Sequence, residues 1–121
     1  MWASSKLSLL LLLVGCGLDL GPTGNVNGTW YEPFMIPGSS FALILTQHAT
    51  QITGTGSWSG EACCDGTMQV AGSYTPRPDG ARISLSLHYD DGAVRSYVGT
   101  VQDDSHIDGR LDGVSLLLIR Q

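Results

Sequence analysis

The chain has 121 residues, a formal net charge of −5, 16 glycines and 42% hydrophobic residues. That length bounds it to one domain with one modest core. Eleven carboxylates against six cations make a surface that disfavours nucleic acid and anionic headgroups as partners.

The N-terminus opens with the α-amino charge and Lys6, followed by the short apolar run LSLLLLLVG over 7–15. A run of that length falls well below the roughly 20 residues needed to span a bilayer, so it reads as a targeting segment. The tetrad Leu13-Val14-Gly15-Cys16 that ends it resembles the lipobox of bacterial lipoproteins. In that family, cleavage before the cysteine leaves a diacylated N-terminus. The resemblance implies that 1–15 is a lipoprotein signal peptide, that Cys16 is the lipidation site, and that 16–25 is a lipidated cysteine and flexible tether. The tether, GLDLGPTGN after the cysteine, is rich in glycine with one proline. Acyl chains contribute about 0.8 kcal/mol per buried CH₂, so two or three of them anchor a protein stably without a spanning helix. The implied partner is the lipid bilayer and the implied address the bacterial envelope. Gly17, standing where an aspartate would signal inner-membrane retention, implies the outer membrane in a Gram-negative cell, facing periplasm or surface.

From residue 26 onward, period-2 alternation replaces any sustained 3.6-residue period, which predicts strands. VNGTWYE (26–32) comes first, then SFALILTQ (40–47), which puts Phe41, Leu43 and Leu45 on one face. QITGTGSW (51–58) aligns Ile52, Gly54, Gly56 and Trp58, and MQVAGSY (68–74) aligns Met68, Val70, Gly72 and Tyr74. In ARISLSLHY (81–89), Ile83, Leu85, Leu87 and Tyr89 face in, and Arg82, Ser84, Ser86 and His88 face out. The turn DDG (90–92) is a strong hairpin signal leading into AVRSYVGTVQ (93–102). HIDGRLD (106–112) and GVSLLLIRQ (113–121) close the chain. PFMIPGSS (33–40) and SGEACCDGT (59–67) are the longer connections.

Eight short, hairpin-linked strands predict an all-β domain over 26–121, an eight-stranded antiparallel up-and-down barrel, because closure removes exposed edges. A two-sheet β-sandwich is the alternative. Glycine favours the barrel. VNGTW, ITGTG, VAGSY, YVGTV and IDGRL each carry a glycine on the side of the flanking apolar residues. An inward glycine lets a strand coil sharply and gives room for rings such as Trp30 and Tyr74.

Gly28-Thr29-Trp30-Tyr31 resembles the G-x-W motif on the first strand of lipocalins and the matching opening of avidin-like barrels. Those families close one barrel end with an arginine of the last strand packed across the tryptophan. Arg120 in LIRQ stands at that place. The resemblance implies a calycin-type barrel, lipocalin-like or avidin-like, with Trp30 and Arg120 as its closure. The whole chain looks most like a small bacterial lipoprotein carrying such a barrel.

Side chains that carry chemistry are sparse. Cys63 and Cys64 are adjacent, and in an oxidising envelope the pair reads as a strained vicinal disulfide. A stiffened loop, a redox element, an intermolecular bridge and a metal ligand are its alternative roles. His48, His88 and His106 form no set and read as solvated. Asp90, Asp91, Asp103, Asp104, Asp108 and Asp112 lie at or near turns, where aspartate hydrogen-bonds its own backbone. No G-x-S-x-G or H-E-x-x-H occurs, so no catalytic residue, metal or cofactor is expected and the chain reads as non-enzymatic. The candidate pocket is the lumen, lined by Trp30, Phe41, Leu43, Trp58, Tyr74, Leu85 and Tyr97, for a small hydrophobic ligand. The alternative is a structural or protein-binding envelope module, an assembly factor or inhibitor, with a filled core and PFMIP (33–37) as a lid or contact.

Overall fold

A computed structural model of the chain describes residues 25–33, 38–60 and 64–121. The strands are β1 (Gly28–Tyr31), β2 (Ser40–His48), β3 (Gln51–Ser59), β4 (Asp65–Thr75), β5 (Arg82–Tyr89), β6 (Val94–Asp103), β7 (His106–Leu111) and β8 (Val114–Arg120). Each pairs antiparallel with its sequence neighbours, and β1 also pairs with β8, so the sheet is a closed up-and-down barrel rather than a sandwich. Such a barrel is consistent with a calycin-like fold. The closing seam is short: only Trp30 opposite Arg120 and Tyr31 opposite Ile119 register across it.

Alternation decides which side chains enter the lumen. Phe41, Leu43 and Leu45 point in from β2, and Ile83, Leu85 and Leu87 from β5, with their neighbours exposed apart from the half-buried Ala42. Met68, Val70 and Tyr74 from β4, Ile107 from β7 and Leu118 from β8 complete the middle of the core. Each such side chain contributes about 1.5–3 kcal/mol by leaving water. No charged or polar side chain is buried among the described residues.

Two boundaries differ from the periodicity by more than one residue. β4 starts at Asp65, before Met68, because Ser59–Asp65 and Trp58–Gly66 already pair. Asp-Gly-Thr looks like turn chemistry in one dimension, yet here Gly66 is needed under a large ring. β1 is shorter than 26–32. Val26 leaves the strand and folds across the barrel end, where it is fully buried, its N–H donating to Gln47 Oε1 (3.0 Å).

The strand directions give the barrel two unlike ends. At one lie Asn25–Asn27, the turn at Ala49–Thr50, the 76–81 connection, the 104–105 turn and Gln121. At the other lie Glu32 and Pro33, Gly38 and Ser39, Gly60, Cys64 and the turns at 90–93 and 112–113.

Candidate functional site

Trp30 and Arg120 meet at the first end. The Arg120 guanidinium carbon lies 4.6 Å from the centroid of the Trp30 ring. Arg120 Nη1 donates to the Asn27 carbonyl (2.7 Å) and Nη2 to the Asn25 carbonyl (3.1 Å), so one side chain ties the last strand to the segment before the first. The indole N–H of Trp30 donates to the Val26 carbonyl at 2.9 Å. Gly28, at φ +130°, holds a backbone conformation that favours glycine, and a Cβ there would meet Arg120 Cγ only at ordinary contact distance. The requirement at Gly28 is therefore its backbone, not space.

Of the residues expected to line a pocket, Trp30, Phe41, Leu43, Tyr74, Leu85 and Tyr97 are all buried in one apolar cluster. Trp58 is the exception, half-buried near the other end. Tyr97 reaches from β6 past Gly109 of β7 to β8, its hydroxyl donating to the Leu116 carbonyl at 2.8 Å. Burial, with Asp108 and Glu32 adding to it, pushes the Tyr97 phenol well above its ordinary range, so it stays neutral.

The inward glycines serve different neighbours from those the sequence suggested. Trp30 and Tyr74 are not among the atoms nearest to them. A Cβ at Gly54 would meet the Ile44 carbonyl oxygen, and one at Gly72 the Ser84 carbonyl oxygen. At those two positions glycine allows the adjacent backbone to close in. A Cβ at Gly56 would lie 2.7 Å from a Leu43 methyl and 2.8 Å from Met68 Cγ. Gly99 and Gly109 face each other across β6 and β7, and both lie against the Tyr97 ring. The ring accommodated by the glycine pattern is thus Tyr97.

At the second end, Trp58 and Tyr89 meet with ring centroids 6.3 Å apart and planes tilted by 52°. Arg95 stands 5.5 Å from the Tyr89 ring centroid and 3.3 Å from Asp112 Oδ2. Burial raises the Tyr89 phenol, partly opposed by Arg95. The indole nitrogen of Trp58 is buried without a hydrogen-bond partner among the described residues, and a Cβ on Gly66 would sit 2.7 Å from it.

Two turn aspartates cap the backbone of their own turns, Asp91 accepting from Ala93 N–H and Asp103 from Ser105 N–H, whereas Asp112 accepts from Ser96 N–H on strand β6, distant in sequence. Asp103 also pairs with His106 Nδ1 at 2.9 Å, and that bond lowers the Asp103 carboxyl below its ordinary value. No group of three or more His, Cys, Asp or Glu side chains suited to a metal ion occurs among the described residues. Cys64 is disulfide-bonded. Cys63, Cys16, the signal and most of the tether, and 34–37 of PFMIP lie outside the described residues.

Sequence reasoning missed one grouping altogether. Arg82 from β5 and Asp108 and Arg110 from β7 share a concavity on the outer face. No linear motif links them; only the register does.

The class defined by these features is the closed eight-stranded antiparallel barrel with a tryptophan–arginine clasp at one end. No protein-family model, curated protein or solved structure matches the chain.

Proposed function

We propose that this chain is a non-catalytic, lipid-anchored module of the bacterial envelope whose filled barrel presents its outer surface to partners. The observation that carries this reading is the packing of the lumen. Trp30, Leu43 and Tyr97 have no exposure at all, and even a methyl group at Gly56, Gly72 or Gly109 would collide with its surroundings. A ligand site of ordinary size needs about 300 Å³ or more of concave space. A small hydrophobic ligand inside the barrel has less support, since its lining residues pack on one another. The anchor is supported by the lipobox-like LVGC ending at Cys16.

Two measurements test the two halves of the proposal. Cys16→Ala should move the protein from the membrane to the soluble fraction; retention on the membrane would overturn lipid anchoring. Titration with the apolar fluorophore N-phenylnaphthylamine should give no saturable binding. Stoichiometric uptake with quenching of tryptophan emission would overturn the filled barrel.

A further inference from the structure

The outer face of β5–β8 carries a groove of ≈ 330 Å³. Gly99 and Gly109 form part of its lining, opposite each other across β6 and β7. From inside, the Tyr97 ring packs against both, and without side chains the two strands close down on it. The same glycine pair that seats the ring inside therefore leaves the outer face concave.

Polar side chains ring this dent: Arg82, Thr100, Asp108, Arg110 and Ser115. Register sets their spacing. Arg82 and Asp108 flank Thr100 on either side, so their strands are about 10 Å apart at a spacing of roughly 4.8 Å per strand. Arg110 lies two residues beyond Asp108 on the same face, about 7 Å along β7. Neither arginine forms an ion pair with Asp108 among the described residues. Arg110 gives one N–H to the Gly113 carbonyl at 3.1 Å, leaving its other donors available. Arg82 has no side-chain partner among the described residues. In a chain of net charge −5, two guanidinium groups and one carboxylate thus share one concavity without neutralising each other.

We propose that this groove binds a small zwitterionic ligand of the amino-acid class, its carboxylate held by Arg82 and Arg110 and its ammonium by Asp108. Guanidinium groups suit a carboxylate because they offer paired, fixed N–H donors. A plain dicarboxylate is repelled by Asp108, and a plain amine by the two arginines. A concave site with charges held apart selects a molecule carrying both signs. Thr100 and Ser115 add hydroxyls able to donate or accept. The proposal rests on the reading that recognition is external, and it does not require the lipid anchor.

The test uses the full chain in mild detergent and isothermal calorimetry. The probes are the common L-amino acids, each compared with its deaminated acid and its decarboxylated amine. At least one amino acid should bind at millimolar or lower concentration, and both analogues should bind about tenfold more weakly or worse. Arg82→Gln, Arg110→Gln and Asp108→Asn should each weaken that amino acid by about tenfold, with thermal unfolding unchanged because all three side chains face solvent. Absence of amino-acid binding would overturn the proposal. So would unchanged affinity in Asp108→Asn, or an acid analogue that binds as tightly as its amino acid. Failure here with no fluorophore uptake leaves the external reading standing, whereas fluorophore uptake removes that reading and leaves the groove to be judged by its own titration.

Discussion

The two ends of the barrel use the same ingredients, a tryptophan with an arginine nearby, to different effect. At the Trp30 end the indole N–H has an acceptor, the guanidinium lies over the ring, and two backbone carbonyls receive its Nη donors. At the Trp58 end the indole N–H is buried without a partner among the described residues, and Arg95 stands over Tyr89 while paired to an exposed Asp112. Each end keeps one buried nitrogen without a partner among the described residues, Arg120 Nε at the first and Trp58 Nε1 at the second. What separates the clasp from the rim is the bonded indole N–H and the two guanidinium bonds to backbone carbonyls. The lesson extends to the seam: where β1 and β8 share only two registered pairs, the arginine supplies the cross-links that the short ladder lacks.

The largest effect should come from the clasp. Trp30→Ala should destabilise the barrel by about 3–5 kcal/mol, the usual range for deleting a fully buried ring, read by urea unfolding. The same change at Trp58 should cost clearly less. Equal losses at both positions would erase the distinction between the ends.

Next comes packing at the middle. Gly109→Ala places a methyl group 2.6 Å from both Tyr97 Cζ and the Val98 carbonyl oxygen. A loss of about 1–3 kcal/mol is expected from such overpacking, since backbone cannot yield as a flexible side-chain end can.

Tyr97→Phe should cost about 1 kcal/mol near neutral pH, through the lost bond to the Leu116 carbonyl. Its clearer signature is alkaline. Because the folded phenol is raised, the unfolded chain releases that proton first, at a pKa near 10. The Tyr97 contribution is therefore complete below pH 10 and is lost as pH rises from there through the folded value, by about 1.4 kcal/mol per pH unit. Wild type should lose stability above pH 10 more steeply than Tyr97→Phe; parallel curves would contradict the burial of the neutral hydroxyl.

The smallest effect sharpens the comparison most. Trp58→Phe removes a buried N–H that has no partner among the described residues, so it should be near neutral or slightly stabilising, within about 1 kcal/mol. Trp30→Phe removes a bonded N–H and leaves the Val26 carbonyl without that donor, and should destabilise by more.

Strand number, order and inward faces were legible because one side of every strand is buried, and burial imposes a period of two. Arg120 opposite Trp30 was legible only through the resemblance of Gly28-Thr29-Trp30-Tyr31 to the G-x-W opening of lipocalin-like and avidin-like barrels, which implies an arginine of the last strand across that tryptophan. The start of β4 was not, because Asp65-Gly66-Thr67 carries turn chemistry locally while its ladder to β3 is a long-range fact. Nor was the partner of each glycine. Alternation says which way Gly99 and Gly109 point, but only the register sets them opposite each other against Tyr97. The outer groove is hidden for the same reason, since its charges come from two strands, β5 and β7, set on either side of β6.

The central claim is that the interior of the barrel is filled by its own side chains, so that recognition happens outside. Native mass spectrometry of the protein purified from its own cells in mild detergent tests this most directly. The expected spectrum shows the protein with no apolar small molecule retained in its interior. A stoichiometric apolar adduct that survives gentle activation, and is lost only on unfolding, would contradict it.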